Sequence, residues 1–205
     1  MEKLSGQLVD YGVAALAFSG ESQSGDEYLV QPFSDGILVA VVDGLGHGAD
    51  AARAARIAVQ TLRENAGESV ITLVRRCHLA LQHSRGAVMS LACFNVADSS
   101  MTWMGIGNVG GLLIRADDSE LRGREVLLMR SGVVGGLLPA LHASVIPVSG
   151  GDTLILTTDG VADGFYNQIS INDPPQKIAD RILSTHNKGT DDAMVLVAHF
   201  LAGTI

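Results

Sequence analysis

A run of six apolar residues, Ile37 to Val42, ends abruptly at Asp43, and this feature restricts the fold more than any other. Leucine, alanine and β-branched residues without a polar interruption predict a strand that is buried on both faces. The glycine-broken turn Gly44-Leu45-Gly46-His47-Gly48 follows, and then an alanine-rich stretch that predicts a helix. The sequence therefore predicts a carboxylate at the rim of a buried sheet, beside a turn tight enough to bring a carbonyl group next to it.

An acid beside an apolar strand occurs twice more in the chain. Asp159 and Gly160 follow the strand-like stretch Leu154 to Thr158, and Thr190-Asp191-Asp192 precedes the apolar stretch Ala193 to Ala198. Three carboxylates at strand ends predict one oxygen-rich site for a divalent cation. Asp-Gly is also a common turn sequence and aspartate also caps helices, so each acid taken alone fits a purely structural role as well.

The composition excludes several classes of function. The 205 residues are 47% hydrophobic and include 24 glycines, which fits one substantial core, and we expect a single domain over residues 1–205. The net charge of −8 and the lack of any basic run argue against nucleic-acid binding. No apolar run reaches the roughly 18 residues of a membrane helix, and Met1 to Ser5 lacks a signal-peptide pattern, so we expect a cytoplasmic protein that does not bind membranes.

Helical periodicity occurs in three places, and the rest of the sequence is mostly strand-like. The predicted buried face of the first helix consists of Ala51, Ala54, Ala55, Ala58 and Leu62, and that of the second of Val70, Leu73, Val74, Cys77 and Leu81. A third helix is predicted to begin at Pro174-Pro175. Short apolar stretches separated by turns indicate antiparallel hairpins, with Val126–Met129 as one strand and Asp117 to Arg124 as a charged loop. We therefore predict an α+β fold with two packed, mainly antiparallel sheets flanked by helices.

The stretch Gly105-Ile106-Gly107-Asn108-Val109-Gly110 matches the GxGxxG pattern of dinucleotide-binding proteins. That pattern has a meaning only where a helix follows, because the helix N-terminus holds the pyrophosphate. Here another strand-like stretch follows, Gly111 to Ile114, so we reject a dinucleotide site.

Three stretches occur in the order of three motifs of the PPM, or type 2C, metal-dependent protein phosphatases: Asp43 to Gly48, Thr157 to Val161, and Gly189 to Val195. The chain resembles this family over nearly its whole length, from Asp26 to the last strand. The small size and the Asp-Gly-Leu-Gly-His-Gly form are similar to the small bacterial regulatory branch, and most similar to RsbX-type phosphatases of stressosome and partner-switching systems. The resemblance implies an α-β-β-α sandwich of four layers.

The resemblance also implies a centre of two Mn²⁺ or Mg²⁺ ions at one end of the paired sheets. By position in the motifs, Asp43 would bridge both ions, the Gly44 carbonyl would bind one, and Asp159 and Asp191 would hold the other. Asp26 and Asp192 resemble acids that support the ligands, and His47 is a possible general acid.

The reaction that the resemblance implies is hydrolysis of a phosphoserine or phosphothreonine protein. Two cations roughly 3.5–4 Å apart lower the pKa of a shared water, so that a bridging hydroxide attacks phosphorus. The expected substrate, by family analogy alone, is a phosphorylated STAS-domain regulator of the stressosome type.

The chain departs from the family pattern at three positions. No arginine precedes Arg53, although many relatives carry an earlier one that binds the substrate phosphate. Asn108 replaces an aspartate that contributes to a third metal in many relatives, and Leu45 replaces a histidine that is the family's candidate general acid.

These departures keep two other functions open. The first is a phosphatase-fold module that binds a phosphoprotein without turnover. The second is a metal hydrolase that uses the same carboxylates on another substrate. A serine hydrolase is disfavoured because the chain has no G-x-S-x-G stretch.

Overall fold

The structure is a computed structural model that describes residues 8–116, 123–167 and 169–201. The described residues form eleven strands: β1 (Val9–Leu16), β2 (Asp26–Phe33), β3 (Gly36–Gly44), β4 (Ala87–Asn95), β5 (Ser100–Ile106), β6 (Gly110–Ile114), β7 (Arg124–Val126), β8 (Met129–Arg130), β9 (Ser144–Pro147), β10 (Thr153–Thr157) and β11 (Ala193–Phe200). The helices in the same residues are α1 (Ala49–Glu64), α2 (Val70–Ala80) and α3 (Pro175–His186), with a short 3-10 turn at Phe165–Asn167.

The strands form two sheets, which we call sheet I and sheet II. Sheet I has the order β1-β11-β10-β6-β7, and sheet II has the order β2-β3-β4-β5-β8 with β9 also paired to β5. Every pairing is antiparallel except that of β5 with β8. The predicted α+β class with two mainly antiparallel sheets is confirmed.

Side-chain alternation along the central strands explains why the sheets stack. In β3, Ile37, Val39 and Val41 pack in the apolar layer between the sheets. The residues between them, Leu38, Ala40 and Val42, pack against α1 and α2 on the outer face of sheet II. Because both faces are covered, the strand is apolar at every position from Ile37 to Val42.

Helix α3 covers the outer face of sheet I in the same way. Ile178, Ala179 and Ile182 of the helix pack with Ala193, Val195 and Val197 of β11, while the alternate residues of β11 face sheet II. The layers therefore follow the order helices, sheet II, sheet I, helix, which is the predicted α-β-β-α sandwich. The predicted apolar faces of α1 and α2 are all buried.

One predicted strand is divided in the structure. Val126–Met129 was expected to be continuous, but β7 pairs with β6 in sheet I and β8 pairs with β5 in sheet II. The chain crosses between the sheets here with Leu127 buried in the layer between them, so a single strand is impossible. Residues 117–122 of the predicted charged loop lie outside the described residues, and its last residue, Arg124, is the first residue of β7. No described helix is long and apolar enough to span a membrane.

Candidate active site

Two acids of sheet II face each other at one end of the β2–β3 hairpin. Asp26, the first residue of β2, is the register partner of Asp43 on β3. The row Ile37, Val39, Val41 faces sheet I, so the alternation points Asp43 in that direction as well. Directly opposed residues of an antiparallel pair lie on the same face, which places both carboxylates at the end of the layer between the sheets.

The acids of sheet I reach the same end because β10 and β11 are antiparallel. Asp159 lies just beyond the end of β10, and Asp191 and Asp192 lie just before the start of β11. The two connections are in close contact: a Cβ added at Gly160 would lie 2.0 Å from the main-chain oxygen of Asp192. Only glycine fits there, which explains the Asp-Gly dipeptide after β10.

Hydrogen bonds join the two sheets at this point. The Thr158 hydroxyl donates to Asp26 Oδ2 at 2.7 Å and accepts from the Met194 amide at 2.8 Å. Asp192, buried with 4% of its surface exposed, accepts from the amides of Phe18 at 2.8 Å and Gly25 at 2.7 Å. The loop that leads into β2 is therefore fastened to the start of β11.

The Gly44 carbonyl lies beside these groups. A Cβ built on Gly25 would be 3.3 Å from Gly44 O and 3.1 Å from Asp192 Oδ2. A Cβ at Gly44 itself would be 2.1 Å from the Ala51 carbonyl oxygen, so a side chain there would push α1 away from β3. The glycine after Asp43 is thus required by the close approach of the helix.

The gathered acids repel one another. Burial, followed by the negative charges of Asp26, Asp159, Asp191 and Asp192, raises the pKa of Asp43 to about 8. Burial raises the pKa of Asp26 to about 7, against the opposing effect of the Thr158 hydrogen bond. Among the described residues, Asp26 Oδ1 is buried without a hydrogen-bond partner. The site therefore holds more negative charge than its protein neighbours offset.

Two further side chains act on Asp159. The Asn108 amide donates to Asp159 Oδ2 at 2.6 Å, and Lys188 Nζ donates to the Asp159 main-chain oxygen at 2.6 Å. Burial and the charge of Asp191 raise the pKa of the Asp159 carboxyl, while Lys188 and Asn108 act in the opposite direction.

The donor set matches the needs of a divalent cation. Its members are carboxylates and a main-chain carbonyl, which are the hard oxygen ligands that Mg²⁺ and Mn²⁺ take. An unpaired buried carboxylate oxygen and mutual repulsion are what a bound cation would relieve. No three acidic, histidine or cysteine side chains of the described chain form a ready-made metal cage. The residues therefore fit a divalent cation in the type of their donor atoms, in their shared location and in the excess negative charge that they carry.

The contacts given for His47 are with Glu21 and Phe18 and not with the aspartates of the site. Its Nδ1 is 2.7 Å from Glu21 Oε1, and its ring centroid is 5.8 Å from that of Phe18. The side chain is 59% exposed. A role for His47 as general acid stays a prediction.

Sequence reasoning missed Thr158 and Lys188. Thr158 continues the alternation of Leu154 and Leu156, which face sheet II, so its orientation was readable from the strand pattern. Lys188 is three residues before Asp191, but only the folded chain shows that it reaches Asp159.

Comparison with known proteins places the chain in a family. Residues 34–201 match the family model described as Stage II sporulation protein E (SpoIIE). The phosphoserine phosphatase RsbX of Bacillus subtilis (strain 168) is 28% identical over 143 residues, which cover 69% of each chain.

Solved structures agree with the fold. A chain from a structure concerning the bacterial stressosome, a modular system adapted to control secondary messenger signalling, is 26% identical, with a TM-score of 0.85 over 94% of this chain and 100% of that one. RsbX in complex with magnesium has a TM-score of 0.83 at 21% identity, over 96% of this chain and 97% of that one. The protein therefore belongs to the SpoIIE family, among the RsbX-like serine/threonine phosphatases of the PPM (type 2C) class.

Proposed function

We propose that this protein is a metal-dependent phosphatase that removes phosphate from phosphoserine or phosphothreonine of a regulatory protein. The observation that carries the proposal is the meeting of Asp26, Asp43, Asp159 and Asp191 at one end of the two sheets, where each acid contributes to an uncompensated negative site. Strongly perturbed carboxyl groups at a shared rim are typical of functional sites. Membership of a phosphatase family supports the same assignment.

In this proposal the site holds two Mn²⁺ or Mg²⁺ ions. Asp43 would hold both, the Gly44 carbonyl would hold one, and Asp159 and Asp191 would hold the other. Such ions supply a hydroxide nucleophile near neutral pH by lowering the pKa of water, and they offset charge on phosphoryl oxygens. Related structures described as RsbX with magnesium and a serine/threonine phosphatase with two manganese ions are consistent with this composition.

The surrounding residues hold the ligands in place. The Asp192 carboxylate accepts hydrogen bonds from two main-chain amides and so fixes the connection that carries Asp191. Thr158 keeps Asp26 oriented towards the site, and the Asn108 amide orients one oxygen of Asp159. Supporting groups of this kind fix the geometry and basicity of metal ligands.

The proposed substrate is a phosphorylated STAS-domain regulator of the stressosome type. RsbX is named a phosphoserine phosphatase, and the relative with the TM-score of 0.85 comes from a stressosome system. A substrate of this kind would place the reaction in the cytoplasm.

One observation favours a second candidate, a module that binds a phosphoprotein without turnover. Asn108 donates a hydrogen bond to Asp159 Oδ2 and thereby occupies an oxygen of a proposed ligand. If this bond persisted with metal present, it would weaken the centre.

Phosphate release separates the two candidates. A STAS-domain protein phosphorylated on serine is incubated with the protein in Mn²⁺, and inorganic phosphate is measured. We expect release that stops with a chelator and returns when Mn²⁺ is added back. Stable capture of the phosphorylated protein without phosphate release would favour the binding module, and chelator-resistant release would contradict the metal-dependent mechanism.

A further inference from the structure

The acidic site poses an electrostatic problem for a phosphorylated substrate. Burial, and after it the charges of four neighbouring aspartates, raises the pKa of Asp43, and the whole chain carries a net charge of −8. A phosphate monoester is itself a dianion near neutral pH. Cationic side chains at the rim of the site would therefore assist its approach and its positioning.

Lys188 lies at this rim, in the connection between α3 and β11. Its amide donates to the Gly160 oxygen at 2.9 Å, and its ammonium donates to the Asp159 oxygen at 2.6 Å. The residue is thus fastened at both its main chain and its side chain to the Asp159-Gly160 connection. It is exposed, so the ammonium is open to solvent beside the acids.

Lys188 differs from many other lysine and arginine side chains of the structure in the partner that it binds. Arg76 pairs with Glu68, Arg115 with Glu125 and Asp152, and Lys177 with Asp173. The hydrogen bond of Lys188 goes instead to a neutral carbonyl oxygen, and no ion pair to a described acid cancels its charge. That charge acts on the Asp159 carboxyl, where it opposes the rise in pKa.

We propose that Lys188 binds the phosphoryl group of the substrate beside Asp159. An ammonium group has three donors, and one of them is used by the Asp159 oxygen, so two remain for phosphate oxygens. Lysine binds phosphate as a point charge, which suits an exposed position at the rim of the site. This inference rests on the proposed function, because it assumes that the acidic site receives a phosphorylated group.

The test replaces the charge of Lys188 and measures phosphate affinity directly. In Mn²⁺-loaded Lys188→Gln, we expect the Kd for inorganic phosphate and the KM for the phosphorylated STAS-domain protein to rise about tenfold to a hundredfold. We expect kcat to change much less, because the interaction is made before and during the reaction. Lys188→Arg should restore most of the affinity.

Lys177→Gln is the matched control. It removes the same charge from an exposed lysine of α3 whose partner is Asp173. We expect its phosphate affinity to equal that of the unaltered protein.

The outcomes separate this inference from the function on which it rests. Equal phosphate Kd values for Lys188→Gln and Lys177→Gln would overturn the role of Lys188, whatever the turnover. A lowered melting temperature in Lys188→Gln, without recovery of phosphate affinity in Lys188→Arg, would also overturn it in favour of a purely structural tether. Phosphate binding that depends on Lys188 in a protein without turnover would support the inference and contradict only the proposed function.

Discussion

The two ends of strand β10 carry acids with opposite surroundings, a buried one at its start and a half-buried one beyond its other end. At its start, Asp152 is 3% exposed and its carboxylate accepts from Arg115 Nη1 at 2.9 Å, the Ala116 amide at 2.9 Å and the Ser149 amide at 3.0 Å. Beyond its other end, burial and the charge of Asp191 raise the pKa of Asp159. One end of the strand therefore satisfies a buried charge, and the other end gathers charges that repel.

The hydrogen-bond and charge partners of a carboxylate distinguish a structural acid from a functional one. A buried carboxylate with a cation and two amides has its desolvation offset, so its removal damages folding. Carboxylates that lack such partners make the fold less stable and persist where a ligand offsets them. Substitutions at one end of β10 at a time test whether the two ends differ in this way.

The largest effect is expected for Asp43→Asn. The loss of this proposed metal ligand should remove several kcal/mol of transition-state stabilisation, which lowers kcat/KM by at least about 10³-fold. Because burial and the neighbouring acids make an ionised Asp43 unfavourable, the free energy of unfolding without metal should not fall. Phosphate release at saturating Mn²⁺ and urea unfolding in a chelator measure the two quantities.

Asp35→Asn serves as its control, since Asp35 is an exposed acid at the opposite end of the β2–β3 hairpin. This variant should keep full activity and stability. Turnover by Asp43→Asn at the level of this control would remove Asp43 from the mechanism.

Asp152→Ala should produce the reverse result. Arg115 loses a carboxylate partner and two amides lose their acceptor, so the free energy of unfolding should fall by about 3 kcal/mol. The activity of the folded fraction should be unchanged. Urea unfolding and specific activity at low denaturant test this, and lost activity at unchanged stability would show that the two ends of β10 are not distinct.

A further effect is expected on the pH dependence of the metal-free protein. The pKa values of Asp26 and Asp43 are raised from 3.8 to about 7 and about 8, so the folded state holds protons that the unfolded state releases. Stability should therefore fall as the pH rises from about 4 to about 8. With Mn²⁺ the fall should disappear, because the cations offset the ionised carboxylates.

Melting temperatures between pH 5 and 8, in chelator and in Mn²⁺, measure this dependence. Asp43→Asn should show a shallower fall in chelator than the unaltered protein. A flat profile in chelator would mean that burial and mutual repulsion do not raise the pKa values of Asp26 and Asp43.

Much of the site was predictable from short stretches of sequence. The apolar run ending at Asp43 and the Asp-Gly after Leu154 to Thr158 marked strand ends, because a chain buried on both faces cannot place a carboxylate further inside. The motif order then indicated a phosphatase family, which the match over residues 34–201 confirms. The metal-ligand roles of Asp43, Gly44, Asp159 and Asp191 stay predictions.

Other contacts depended on pairings that no local pattern contains. The register that opposes Asp26 to Asp43, and the bond from Thr158 to Asp26, join residues of different strands or different sheets. The division of Val126–Met129 has the same origin, because the choice between β6 and β5 as neighbour is made by the stacked sheets.

By itself, the sequence determined which stretches are strands and helices, which faces are apolar, and which acids stand at strand ends, because these properties follow from periodicity and turn chemistry. Only the tertiary structure decided which acids meet, which of them are left without partners, and that Lys188 reaches Asp159. The physical reason is that charge repulsion, desolvation and hydrogen bonding depend on distances through space, and those distances exist only after the two sheets have stacked.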